Sequence, residues 1–258
     1  VDNVWSRNQK PSRQTLTLER IVAEAVALLD EEGVGRLTMR RLAERLDTGS
    51  TTLYWHVKTK DDVLDLAMDE VFREVRLDDL AGLAGLAGWK GAGSGAAGWE
   101  GAGSGAAGWE GAGSGAAGWE GAGSRPAGWE GDWRAPVRGL MRRWRAALLR
   151  HPWSATLLDR PLMGPHALRR TEFLYETLTA AGFAVPKTAA YSLSNYVMGS
   201  VIMQVTWERS GGTDTGVYLR ERADRYPALA EHGLEHDWDA TFDEGLDYLL
   251  EGMARSRA

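Results

Sequence analysis

The sequence predicts an all-α protein with a small N-terminal head of short helices and a larger C-terminal helical body. Three observations carry this. Apolar residues recur at helical spacing from Ile21 onward. Glycine and proline fall between those runs, where helices start and stop. No segment outside one repeat shows the strict alternation of a half-buried strand.

The totals bound the class. At 258 residues the chain allows one or two ordinary domains, and 43% hydrophobic residues suit a globular core. A net charge of −6 argues against a uniformly basic nucleic-acid coat but leaves room for a local basic face. The absence of cysteine excludes disulfides, thiolate zinc sites and cysteine nucleophiles, and fits a reducing cytoplasm. No apolar run reaches the roughly 18 residues of a membrane span.

Residues 1–14 read as a basic arm carrying Arg7, Lys10 and Arg13, either a solvated chain end or a strand-following tail. Thr17 offers an N-cap to a first helix with Ile21, Val22, Ala25, Leu28 and Leu29 inward, closed by Gly33. A second helix starts after Leu37, with Thr38 as cap and Leu42, Ala43 and Leu46 as a narrow stripe; Arg40, Arg41 and Arg45 lie off it. Asp47 to Gly49 form a turn. Ser50 is expected to cap a third, very short helix, with Leu53 and Val57 inward and Thr51, Thr52, Tyr54, His56 and Lys58 outward. Asp61 and Asp62 open a fourth helix running to about Leu77, completing a head over 15–77.

From 81 to 131 the composition shifts to ten-residue units, with Trp89, Trp99, Trp109, Trp119 and Trp129 in register. Ten residues turn an α-helix by about −80°, so these rings share no helical face. The segment is read as a disordered insertion, with stacked strands as the physical alternative. Most of the 32 glycines fall here, but no strand, helix and Lys-Ser or Lys-Thr pair frame them as a phosphate loop.

Residues 132–258 are helical again. Val137, Leu140, Met141, Trp144 and Leu148 form one stripe, broken at His151-Pro152. A short element spans Trp153 to Leu158. Pro165 opens a helix closed by Gly182. Pro186 opens one so apolar that burial on two sides is expected. Val217 to Arg225 is predicted helical up to Tyr226-Pro227, and a last helix starts near Trp238 with Phe242, Leu246, Leu249, Leu250 and Met253 inward.

The polar third helix is the stretch with least internal reason for its composition. A DNA-reading helix needs a short polar face for base edges, with cations and hydroxyls for phosphates. Arg40 could take guanine or phosphate, Thr52 and Tyr54 supply hydroxyls, and Lys60 stands at a helix start suited to a phosphate. Taken alone, such a helix reads equally well as a solvated face.

Leu37 to Lys60 resembles the DNA-binding signature of the TetR family of bacterial transcription regulators. Thr52 to Lys58 is identical to the signature of its tetracycline-repressor branch, and Leu42-Ala43 with Leu46 fits the preceding helix. The resemblance implies DNA contacts at Thr38, Arg40, Ser50, Thr51, Thr52, Tyr54, His56 and Lys60, with Thr38, Tyr54 and Lys60 on phosphates. Asp47 stands where a turn glycine is usual, and Ser50 replaces a base-reading glutamine, so the operator sequence should differ. Weaker landmarks follow at His151-Pro152-Trp153, Arg160-Pro161, Gly164-Pro165, Ala181 to Phe183, Tyr226-Pro227 and Phe242 to Leu250. They imply a C-terminal ligand-binding and dimerisation domain, with two chains paired through the helices near 187–209 and 238–255.

The expected partners are therefore a double-stranded palindromic operator, a small organic effector and a second copy of the chain. Trp144, Phe173, Asn195, Met198, Ile202 and Trp207 are candidate effector contacts. Thr156 and Leu174 replace the family's magnesium-coordinating histidine and drug-holding glutamine, which argues for a more apolar effector than a tetracycline–magnesium chelate. No cofactor, metal or catalytic group is expected. The alternative is a metal-dependent hydrolase on His232, Glu235 and His236, whose H-x-x-E-H spacing would put both histidines on one helical face.

Overall fold

The computed structural model describes residues 16–86, 132–211 and 215–255. Among them every regular element is helical: α1 (Leu18–Glu32), α2 (Met39–Arg45), α3 (Ser50–Tyr54), α4 (Lys60–Arg73), α5 (Asp78–Leu83), α6 (Arg134–Arg150), a 3-10 segment Pro152–Leu157, α7 (Pro165–Ala180), α8 (Pro186–Arg209), α9 (Thr215–Arg220), α10 (Pro227–His232) and α11 (Trp238–Arg255). The all-α expectation holds. The arm over 1–14 and the five in-register tryptophans lie outside the described residues.

The head forms as its caps dictate. The Thr17 hydroxyl accepts from the Arg20 amide and that of Thr38 from the Arg41 amide, relieving the first turns of α1 and α2 of unpaired donors. Gly33 ends α1 at φ +77, a conformation that disfavours side chains. Thr59 and Asp62 form a reciprocal capping box at the start of α4. Ile21, Ala25, Leu28, Leu42, Leu53 and Val63 bury into one core that continues into the body.

Several boundaries move. α4 stops at Arg73, not Leu77. The chain then makes α5, which runs into the segment assigned to the repeat; Leu80, Ala81 and Ala84 are buried. Leu80 lies against Gly139 of α6, so tertiary packing holds a glycine-containing turn that composition reads as loop. α9 ends at Arg220, five residues early, and α10 forms between Tyr226 and the last helix, where the apolar spacing predicts none. α8 buries only one face, through Ala190, Leu193, Val197, Val201 and Val205, while Tyr191, Ile202 and Met203 stay exposed.

α4 joins the two halves, packing on α1 in the head and on α6 and α7 in the body. Asp69 of α4 accepts from the amides of His166 and Ala167, at 3.0 and 3.1 Å, and from His166 Nδ1 at 2.8 Å. It thereby caps α7, a helix with no side-chain cap of its own. Gly164 makes this approach possible, because a Cβ there would sit 2.2 Å from the Asp69 carboxylate oxygen. Arg145 of α6 fastens the rest of the body. It is buried and donates to Ser200, Gln204, Asp239 and the Trp238 carbonyl, tying α6 to α8 and α11.

Gly164→Ala should lower unfolding stability by about 1–3 kcal/mol, the usual range for overpacking. Urea denaturation checks this; a midpoint unchanged from wild type would show that Asp69 does not hold α7 as described.

Candidate nucleic-acid interface

The turn before α3 places the exposed residues. Asp47 adopts φ +49, the one positive φ outside glycine among the described residues, so an aspartate does the work of the usual turn glycine. The cap of α3 is Gly49, not Ser50 as the sequence suggested, and no side chain caps it. Ser50 is thus the first helical residue and its side chain faces solvent. α3 has only five residues and is held by Leu53 and Val57, both buried.

Ser50, Thr51, Thr52, Tyr54 and His56 are all exposed on one side of the head. Trp55, which sequence reasoning left out, is 79% exposed, an unusual cost for so large an apolar ring. Its exposure could not be read from spacing, because it sits where the short helix ends. The arginines of α2 separate by role. Arg45 pairs with Glu24 and Glu31, and Arg41 with Glu32, so both fasten α2 to α1. Arg40 is 87% exposed and touches only Glu44 of its own helix at 2.9 Å. A surface pair of this kind is worth little and opens readily to a competing phosphate. Lys60 Nζ donates to the Val34 carbonyl at 2.8 Å, which anchors its ammonium beside the head.

None of the candidate effector residues lines the cleft beside α4. Trp144 and Phe173 are buried in the body. Asn195, Met198, Ile202 and Trp207 lie along α8, with Asn195 and Ile202 exposed. That cleft, of about 970 Å³, opens between the end of α3, α4 and the 160–167 segment, with Trp55, Leu66, Phe72, Arg160, Met163 and Ala167 among its walls. Thr156 is exposed and donates to the Trp153 carbonyl, whereas Leu174 is buried.

A charged joint also ties the two halves together. His151 is buried between Asp30 of α1, 2.8 Å from Nδ1, and Glu74 at the end of α4, 3.0 Å from Nε2. Trp153 Nε1 donates to Asp30 and Arg150 to Glu74, so His151-Pro152-Trp153 locks head to body. Burial by itself would lower the His151 pKa, but the hydrogen bonds and charges of Asp30 and Glu74 outweigh it and raise the value above 6.5.

The hydrolase alternative lacks its helix. α10 stops at His232, and Gly233 turns the chain at φ +71. His236 Nδ1 lies 3.1 Å from the Leu234 carbonyl, and its ring packs on Trp238. No group of three metal-capable side chains occurs among the described residues.

A capped helix-turn-helix with an open polar second helix, carried on a helical body, defines a DNA-binding transcription regulator. Residues 21–67 match the profile of bacterial regulatory proteins of the tetR family, and residues 125–257 that of the tetracyclin repressor-like C-terminal domain. An HTH-type transcriptional regulator of Saccharopolyspora erythraea is 40% identical, over 97% of this chain and 91% of its own. The HTH-type transcriptional repressor DrrR1 of Streptomyces coeruleorubidus is 27% identical, over 98% and 84%. The crystal structure of the Streptomyces coelicolor TetR family protein ActR with actinorhodin superposes with a TM-score of 0.66, at 25% identity over 94% of this chain and 99% of that one. The chain belongs to the TetR family and is a ligand-responsive transcriptional regulator.

The His151 joint gives a pH dependence. Since its folded pKa is raised, the stability it contributes is fully present below 6.5 and is lost as pH rises through the higher folded value. His151→Gln should therefore destabilise the protein more at pH 6 than at pH 9, measured by thermal unfolding across that range. An equal loss at both pH values would contradict the charged joint.

Proposed function

We propose that the protein is a homodimeric repressor that holds a palindromic operator and lets it go when a small organic effector binds the body. The head over 15–77 reads DNA, and the body over 132–258 pairs the chains and takes the effector. The carrying observation is the open face of α3, a short helix spending its whole outer side on polar residues. Ser50, Thr51, Thr52 and His56 meet base edges or adjacent backbone, and Arg40 takes a base or phosphate. Thr38, Tyr54 and Lys60 hold phosphates, with the Lys60 ammonium exchanging Val34 for a phosphate oxygen. Two such helices about 34 Å apart fit successive major grooves.

The apolar outer stripe of α8 supports the pairing. Tyr191 is 58% and Met203 62% exposed, with Ile202 between them and Tyr248 exposed on the neighbouring α11. A second copy covers this stripe through both helices, which also accounts for the apolar composition of α8 on two sides. The effector enters by the cleft beside α4 and reaches toward Trp144 and Phe173. Asn195, Met198, Ile202 and Trp207 serve the α8 side, at or next to the partner chain. The effector releases DNA by binding more tightly to the head spacing that no longer matches the operator.

Anisotropy of labelled DNA from upstream of the protein's own gene tests the DNA reading. Arg40→Ala should cost about 1–3 kcal/mol of operator binding and Tyr54→Phe about 1 kcal/mol. The reading fails if no palindromic site is bound, or if both variants match wild type. For the dimer, Ile202→Glu with Met203→Glu should convert it to a helical monomer in sedimentation velocity and weaken operator binding. A dimer that persists would place the interface elsewhere.

A further inference from the structure

Arg170 of α7 is 7% exposed, yet its guanidinium has no acidic partner among the described residues. Among the described residues its one hydrogen bond is Nη2 to the Thr171 hydroxyl at 3.2 Å, and Nε and Nη1 are buried without an acceptor there. The group is stacked over Trp144, 3.7 Å from the ring centroid, and faces Phe72 at 5.3 Å. Trp144 Nε1 is a second buried donor without an acceptor.

The surrounding acids are committed elsewhere. On α4, Asp69 caps α7, Glu70 pairs with Arg73, and Glu74 with Arg150 and His151. α6 carries no carboxylate at all. Burial pushes the Arg170 pKa down to about 10, still far above neutral, so the cation stays charged. Arg145, equally buried on α6, shows what this protein does with a structural cation: it surrounds it with Ser200, Gln204, Asp239 and a carbonyl. A buried charge left without such partners is costly, which marks Arg170 as awaiting one from outside.

We propose that Arg170 is the anion-binding group of the effector site, and that the effector is an aromatic organic acid. Its carboxylate accepts from one edge of the Arg170 guanidinium, at Nε or at Nη1, which lie on opposite edges, and from the Trp144 indole N–H, and its ring replaces part of the aromatic stack. The route is the cleft beside α4, which Phe72 and Ala167 help to line, and Phe72 also faces the guanidinium at 5.3 Å. Phe72 is the ring that must swing aside, and it belongs to the same helix that begins beside α3. This rests on the effector reading above and adds the charge and shape class of the ligand.

Isothermal titration of the full chain with 2-naphthoate and with neutral 2-naphthamide tests it. Wild type should bind the carboxylate at least about thirtyfold more tightly than the amide, the scale of a desolvated charge pair. Arg170→Met, which keeps the stem and removes the charge, should abolish that preference while circular dichroism stays helical; Arg170→Lys should keep a reduced one. Equal affinities in wild type, no binding of 2-naphthoate, or an undiminished preference in Arg170→Met overturns the assignment. If Arg170→Met unfolds, the wild-type comparison and Arg170→Lys decide it in the same way. Operator binding is measured separately, so its failure sinks the repressor reading, whereas loss of carboxylate preference alone sinks only this one.

Discussion

Helix α4 is the constraint on which the rest depends, because its burial is divided between two halves that must otherwise move apart. Its apolar residues meet α1 within the head, and its C-terminal end, at Phe72, meets Trp144 and Arg170 of the body. Its first residue stands a few positions from the exposed face of α3. Close-packed interfaces do not deform continuously, so on the proposed reading a rearrangement at Phe72 would reach Thr59 and Lys60 through α4. The polar locks on either side of the rod, Asp69 on the amides of α7 and Glu74 on His151, define the arrangement it would have to leave.

Electrostatics in the body follow one rule and one departure from it. Removing an acceptor from a buried ion costs several kcal/mol, so buried charges come with partners. Arg145 obeys this with four polar groups from α8 and α11. Arg170 has aromatic faces and one hydroxyl. Stacking on an indole recovers part of the desolvation cost, on the order of 2 kcal/mol, and leaves two donors facing inward. Such an imbalance is characteristic of sites that complete themselves with a ligand, where stability is given up for selectivity.

Two surfaces contrast in the same way on the outside. The α3 face is polar and open, suited to a partner with phosphates and base edges; the α8 stripe is apolar and open, suited to a partner much like itself. Between them the surface pairs of α2, such as Arg41 with Glu32 and Arg45 with Glu31, orient the head without adding much free energy. Of the three α2 arginines, Arg40 alone pairs within its own helix and so leaves α1 unattached to it.

Much was legible from the chain alone. Local rules gave α1 between Thr17 and Gly33, the turn at Asp47, the start of α4, and the stripes of α6 and α11, because caps and period depend on near neighbours. The signature from Thr52 to Lys58 gave the family. Tertiary structure decided the rest, since it turns on residues far apart in sequence. α5 exists because Leu80 finds Gly139. Gly164 is required because Asp69 arrives 95 positions away in sequence. His151 is a joint and not merely a helix breaker because Asp30 and Glu74 converge on it. Arg145 and Arg170 read alike in sequence, as charges beside a helical stripe; only their surroundings make one a fastener and leave the other among aromatic rings with a single hydroxyl. Periodicity records which face of a helix turns inward, but not what waits there.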